Sequence, residues 1–485
     1  MCVSPLPSVC PPVRWWRAPR RDLAVTLRPP EIVFTRTEGH PSDISEAPRP
    51  RVVITGVGVV HALGRTTGEI WEAMAELRSA VGPITRFDAL PFATRIAAEV
   101  RDDADDRFKP EYWATLDRRS RFAVSAALSA VQGAGVTFTT QNRAQVAVVV
   151  ASERPEEDRL LDGARHFVAG DIASAAVMLA ANARPHAAAE RIAALFGVTG
   201  PVMQLENRAP GGLAAIIEAA AILRRGDALV AVAGGAEAPI TPLSLAAFQG
   251  TGSLSTRNDA PHEASRPLDL DRDGFVLAEG AAVVVLERLE VAVARGARIL
   301  AEIEGEAMTF SAGRDGVPGF DADQIARSIQ LALVTSGRIQ SEVDLLALHA
   351  AGNLEGDRLE ARAVRMIFGA SARHHMYTPA LKSHLGHTLA ASGPLALAVV
   401  LEAMHRQQIP GTRNLVREDP EVDLDANPNG PRADTLRVAM VNATGWAHNA
   451  TLAICHPASM RPVPAAFEAT GDVLTVPDEA ASGMA

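Results

Sequence analysis

Val52-Val53-Ile54-Thr55-Gly56-Val57-Gly58-Val59-Val60 is a run of β-branched residues broken only by glycines, and it reads as a buried strand entering a turn. Directly after it, Ile70, Trp71, Met74 and Leu77 fall at helical spacing. Similar strands are expected at Val146–Ala151, Ala228–Gly234, Ala281–Leu286, Leu345–His349 and Val438–Asn442. Helical patterns fill the gaps at Ala123–Gln132, Gly212–Arg225, Asp323–Ser336 and Pro394–Gln407. Strands alternating with helices imply α/β layers with mainly parallel sheets. A chain of 485 residues is long for one such sheet, so two α/β halves are expected. No repeat of solenoid period is visible.

Composition agrees with this. Apolar residues make up 47% and charged residues 21%, with only 4% aromatic, and Ala, Val and Leu dominate the apolar part. Small aliphatic side chains suit helices packed closely on both faces of a sheet. A net charge of −10 argues against gripping nucleic acid or an anionic membrane by electrostatics. The three cysteines, Cys2, Cys10 and Cys455, show neither metal-ligand nor redox spacing, which fits a reducing cytoplasm. No apolar run is long enough to span a bilayer. The stretch from Leu389 to Met404 is interrupted by Ser392, Gly393 and Pro394 and reads as a buried helix. Residues 1–50 are rich in Pro and Arg without the apolar core of a secretory signal, and are expected to form a disordered extension. Residues 457–485 read as a solvated tail.

Three further stretches carry a resemblance. Arg266–Ala281 reads RPLDLDRDGFVLAEGA, preceded by Leu254-Ser255-Thr256-Arg257-Asn258 and followed by Arg295-Gly296-Ala297-Arg298-Ile299. In that order they resemble the RPFDxxRDGFVxGEGA, LSTRN and RGAxIYAE elements of β-ketoacyl-carrier-protein synthases, with departures at Leu268 and Ala278. The likeness runs from about Arg51 to His456. It implies a thiolase-like five-layered α/β/α/β/α fold with two similar halves, 51–300 and 301–456. It also implies a dimer, an acyl carrier protein as partner, and no cofactor or metal.

The family's reaction is a decarboxylative Claisen condensation, in which a cysteine thiolate takes an acyl group and two histidines stabilise the enolate formed from a malonyl thioester. Lys382-Ser383-His384-Leu385-Gly386-His387 resembles the family's KSxxGH motif. With the register fixed on Gly356, Asp357 and Glu360, His349 falls on the other histidine, although the family's HGTxT is here His349-Ala350-Ala351-Gly352-Asn353. The resemblance therefore makes His349, Lys382 and His387 the catalytic candidates. Counting back from Gly212 places Ala209 on the nucleophile's position, with no serine or threonine within two residues. Alanine cannot form an acyl-enzyme. The family's GFGGxNA turn is here Thr444-Gly445-Trp446-Ala447-His448-Asn449-Ala450, which puts Gly445 or Trp446 at the pocket gate and oxyanion loop. Trp446 would there fill acyl space or join the core. The run Glu153–Arg159 replaces a glycine-rich family segment and reads as a solvated loop.

These readings leave three functions open. One is a non-condensing partner of a cysteine-bearing ketosynthase, like a chain-length factor, in a hetero- or homodimer. The second is a malonyl-carrier-protein decarboxylase using His349 and His387. The third is a condensing enzyme with an unrecognised nucleophile.

Overall fold

The computed structural model describes residues 49–182, 187–313, 317–428 and 430–462. Nine strands form one mixed sheet system: β1 (Val52–His61), β2 (Val146–Ala151), β3 (Val202–Leu205), β4 (Val230–Glu237), β5 (Gly280–Arg288), β6 (Ala301–Phe310), β7 (Leu345–Ala347), β8 (Val438–Gly445) and β9 (His448–Cys455). Their spatial order is β3-β2-β4-β5-β1-β6-β9-β8-β7. Six helices cover them: α1 (Arg118–Ala134), α2 (Ala187–Phe196), α3 (Gly211–Arg225), α4 (Ala322–Ser336), α5 (Leu354–Phe368) and α6 (Ser392–Arg406).

The order is nearly a mirror about the β1–β6 seam, where Val52 pairs with Ile303. On one side β2–β4 is parallel and β4–β5 and β5–β1 are antiparallel. On the other, β7–β8 is parallel and β8–β9 and β9–β6 are antiparallel. The parallel neighbour of β2 is β3, and its counterpart beside β7 is a single bridge from Leu345 to Tyr377. The sheets are thus mixed rather than mainly parallel, because in each half the innermost strands run against their neighbours.

Alternation along the strands separates the layers. Val148, Val150, Val232 and Val283 face an outer layer containing α1 and α2. Ala147, Val149, Ala231 and Val284 face the opposite way, onto α3 and α6, and Val441, Leu452 and Ile454 close on those same helices from the second sheet. Leu346, Met440 and Ala453 point outward to α4 and α5. The result is α/β/α/β/α. Capping sets several helix ends: the Asp117 carboxylate accepts from Ser120 N–H before α1, and Gly135 and Gly337, both with positive φ, close α1 and α4. In the central layer α3 and α6 begin almost in contact. A Cβ on Gly212 would lie 2.3 Å from the Ala390 carbonyl oxygen and 2.5 Å from the Pro394 ring.

β6 had no counterpart among the expected strands. Its sequence, AEIEGEAMTF, alternates with glutamates that look solvated. Instead Glu302 pairs with Arg51 at 2.6 Å, Glu304 with Arg338 at 2.7 Å and Glu306 with Arg224 at 2.5 Å. Of the expected N-terminal extension, residues 1–48 lie outside the described residues, while Arg49 pairs with Glu306. Of the expected tail, residues 463–485 lie outside them. Its start is packed, since Pro457–Ser459 forms a 3₁₀ turn and Arg461 donates to the Ser336 carbonyl at 3.1 Å. No helix among the described residues is long and apolar enough to cross a membrane.

Candidate functional site

His349 follows β7, and its position is held from the backbone outward. Both oxygens of the buried Glu360 carboxylate, on α5, accept main-chain N–H bonds from His349 and Ala350 at 2.7 Å each. Glu360 also accepts from the Asn442 amide on β8 at 2.5 Å. The altered turn after His349 is stabilised differently from a threonine turn: Asn353 caps α5 by accepting from Glu355 and Gly356 N–H, and Asp357 accepts from Gly352 N–H.

Lys382 donates its ammonium to the His349 carbonyl and approaches His349 Nδ1 at 3.4 Å. His387 lies across from His349, the two rings 5.1 Å apart and nearly perpendicular. Its Nδ1 accepts from Leu389 N–H at 3.2 Å. With each Nδ1 facing a donor, each neutral imidazole carries its hydrogen on Nε2. Burial, then Lys382, and for His349 also His387, hold both histidines well below the ordinary imidazole value. Burial lowers Lys382 to about 8, opposed by Glu360. The site thus offers two neutral N–H donors beside a cation.

The stretch Arg266–Ala281 holds His387 from behind. Phe275 packs edge-on against the His387 ring at 5.1 Å; His387 N–H donates to the Val276 carbonyl at 2.8 Å, and Ala278 N–H to the His387 carbonyl at 3.0 Å. The charges of that stretch are structural. Arg272 pairs with Asp419 at 2.9 Å and Asp357 at 3.3 Å, Arg266 with Asp269 at 3.0 Å, and Glu279 with Arg118 at 2.6 Å. Sequence reasoning used Glu360 and Asp357 only to set the register and assigned no role to Phe275 or Asn442. Their work depends on partners distant in sequence.

Ala209 sits at the entry to α3, buried, after Arg208, whose φ is 51°. Gly211 N–H donates to the Arg208 carbonyl at 2.9 Å, so the elbow keeps a strained turn under a methyl group. Gly445 faces it. A Cβ on Gly445 would lie 2.8 Å from Pro210 Cδ and 3.1 Å from Ala209 Cβ, which leaves this position no room for a side chain. Trp446 stands at the tip of the β8–β9 hairpin, 54% exposed, and so fills neither an acyl pocket nor the core. Cys455 is at the other end of β9, about 23 Å from His448 at strand rise. Burial raises its thiol pKa, so it is no substitute nucleophile. It lies close to Glu302 and Glu304, but each carboxylate is already engaged by an arginine.

The run Glu153–Arg159 is not a solvated loop. A helix starts at Glu157, and Glu156 and Glu157 are buried. Glu157 is satisfied by Arg154 and the Thr241 hydroxyl, which is why burial is tolerated there. Glu153 and Glu237 meet at the carboxyl ends of β2 and β4, and Glu156 is buried beside Asp117. Burial pushes Glu153, Glu156 and Glu237 up to about 7, about 8 and about 8 respectively. Glu153 also approaches Arg208 of the elbow at 3.9 Å.

Comparison with known proteins agrees with this geometry. The model of the beta-ketoacyl synthase N-terminal domain matches residues 49–292, and that of the C-terminal domain residues 300–416. The chain is 35% identical to 3-oxoacyl-[acyl-carrier-protein] synthase 2 of Synechocystis sp., over 84% of this chain and 98% of that one. It is 33% identical to the tetracenomycin polyketide synthase ketoacyl synthase alpha subunit of Streptomyces glaucescens, over 82% and 94%. Among solved structures it resembles the ishigamide ketosynthase/chain length factor, at 30% identity and a TM-score of 0.76 over 84% of this chain and 99% of that one. It also resembles a type II polyketide synthase ketosynthase solved with its acyl-carrier protein, at 26% identity and a TM-score of 0.75 over 84% and 100%. Strand order, layering, the paired histidines and these matches converge: the chain is a thiolase-fold protein of fatty acid or polyketide biosynthesis and belongs to the β-ketoacyl synthase family.

Proposed function

We infer that the chain is a non-condensing subunit that works in the cytoplasm beside a cysteine-bearing ketosynthase, as a chain-length factor does, on substrates tethered to an acyl carrier protein. The observation that carries this reading is the elbow. Ala209 has no lone pair with which to attack a thioester, and the Gly445 backbone packs against it where the family keeps a gating side chain. The edge supports a partnered state. β3 ends the sheet with Val202 and Met203 exposed, and the helices Glu157–Val168 and Ile172–Asn182 expose Phe167, Val168, Ile172 and Val177. A second subunit, this chain or a cysteine-bearing relative, would cover both.

A second reading is favoured by the other half of the site. The neutral Nε2–H donors of His349 and His387 suit the carbonyl oxygen of a malonyl thioester. The bond to the carboxylate breaks, CO₂ leaves, and its electron pair moves onto that oxygen as an enolate held by both donors. Protonation at carbon by water then gives the acetyl thioester. No step needs a thiolate.

The test is to incubate the full chain with malonyl-carrier protein, alone and with a cysteine-bearing ketosynthase, and follow every carrier species by intact mass. Condensed products of changed length only in the mixed sample support the subunit reading. Acetyl-carrier protein from the chain alone, lost in His387→Ala, supports the decarboxylase. A stable acyl adduct on this chain overturns both.

A further inference from the structure

A cleft of about 610 Å³ opens at the far end of the central layer, between the first half of β1, the end of α6 and the residues just after β9. Since α6 begins beside the His387 loop and ends at this cleft, the two are about 22 Å apart along its 15 residues. The cleft therefore does not belong to the candidate site. Its volume lies within the usual range for small-molecule sites, roughly 300–1,000 Å³.

Its charges are unbalanced. Arg298 lines it and has no ion-pair or hydrogen-bond partner among the described residues. Neighbouring arginines at this end are all matched: Arg51 by Glu302, Arg295 by Glu287 and Arg406 by Glu402. The one carboxylate lining the cleft, Glu402, is spent, accepting from the Thr67 hydroxyl at 2.8 Å and from Arg406 at 2.7 Å. Two imidazoles complete the lining, His405 at the end of α6 and His456 after β9. His456 Nδ1 accepts from Ala458 N–H at 3.2 Å, so in the neutral ring its Nε2 carries the hydrogen and is a donor. The two rings are close enough to feel each other, His405 being, after burial, the group that holds the His456 imidazole below its ordinary value.

An unpaired guanidinium fork and two donor imidazoles around one cleft, with the local carboxylate already engaged, form a receptor for anionic oxygens. We propose that this cleft binds a small polyvalent oxyanion, with Arg298 as the bidentate anchor and His405 and His456 as flanking donors. Phosphate and carboxylate ligands share this chemistry, and the test separates them.

Inorganic pyrophosphate and malonate are titrated into the full-length protein by calorimetry at low ionic strength. One saturable site is expected for at least one of the two, and which it is assigns the ligand's chemistry. Arg298→Ala is expected to weaken that binding at least tenfold, and His405→Ala paired with His456→Asn, which keeps the cap on Ala458, by a similar factor. Arg327→Ala, an exposed arginine on α4, should leave it unchanged. Absence of saturable binding by either anion overturns the proposal. So does affinity within twofold of wild type in Arg298→Ala, or a loss in Arg327→Ala as large as that in Arg298→Ala.

Discussion

Two facing regions of the site have been treated in opposite ways. Around His349, Lys382 and His387 the supporting groups are partnered: Glu360 takes two main-chain N–H groups and the Asn442 amide, and Leu389 N–H fixes the His387 tautomer. At Ala209 the side chain is a methyl group with no reactive atom. A strained Arg208 remains beside Glu153, and one oxygen of Glu237 has no partner. Organised donors at the reacting atoms cost nothing at the moment of reaction, whereas a buried polar atom without a partner is a standing penalty. The difference is one of preorganisation: the histidine side is held by partnered groups, the elbow side is not.

The largest effect expected from breaking this contrast is on chemistry. If the histidine pair works on a malonyl thioester, His387→Ala removes one of two enolate donors and should slow acetyl-carrier-protein formation by about 10²–10³-fold. Ala209→Cys should restore no acylation, because Gly445 supplies backbone where a gate should be; intact mass after acyl-carrier-protein challenge reads this directly. Both histidines are held below the ordinary 6.5, so the wild-type rate should show no inflection there and fall only in stronger acid. A rate that halves near pH 6.5 would show the rings to be solvated.

Next in size is the support beneath that half. Glu360→Ala would leave His349 N–H, Ala350 N–H and the Asn442 amide without their acceptor and Lys382 with only Asp357 as a nearby countercharge. Each buried donor left without its acceptor costs about 1–3 kcal/mol, so the loss is readable in denaturant unfolding. Glu360→Gln keeps an acceptor and should cost less. Equal losses in the two variants would mean that the charge, and not the hydrogen bonds, holds the site.

How much of this was legible follows from the same residues. The β-branched runs at Val52–His61, Val146–Ala151 and Val438–Gly445 and the helix over Gly211–Arg225 lie where apolar periodicity put them, because their burial is decided locally. Glutamate-bearing segments are the harder case. In β6 and in Glu153–Arg159 the carboxylates look solvated until arginines from elsewhere in the chain, Arg51, Arg224 and Arg338 for β6, are brought to them. Spacing and family register named His349, Lys382 and His387, which the structure brings together, and Ala209, which lies at the entry to α3. They could not say which of Gly445 and Trp446 faces the elbow, since that depends on a two-residue hairpin.

The Glu156 carboxyl has the opposite pH response to the histidine pair. Glu156, buried and beside Asp117, is raised from 4.5 to about 8, so the folded state keeps a proton that the unfolded chain releases. Its contribution is fully present below pH 4.5 and is lost as pH rises through about 8. The histidines have depressed values, so theirs is lost as pH falls. Glu156→Gln should therefore stabilise little at pH 5 and increasingly as pH rises toward about 8, seen as a Tm gap that widens with pH. A constant gap would assign the effect to packing.

The smallest effect tests how tightly the hairpin closes on the elbow. Ala447, where the family has glycine, adopts φ 77° beside Trp446 and is buried, and its carbonyl accepts from Ser311 N–H at 2.7 Å. A left-handed alanine costs about 1–2 kcal/mol. Replacing it with glycine relieves that, but adds about 0.5–1 kcal/mol of chain entropy and gives up a buried methyl worth about 0.8 kcal/mol. These nearly cancel, so Ala447→Gly should shift stability by less than about 0.5 kcal/mol. A loss above about 1 kcal/mol would mean that the Ala447 methyl is part of the packing that seals Ala209. In that case the elbow is closed by the side chain at 447 as well as by the backbone at Gly445, and restoring a nucleophile would require reopening both.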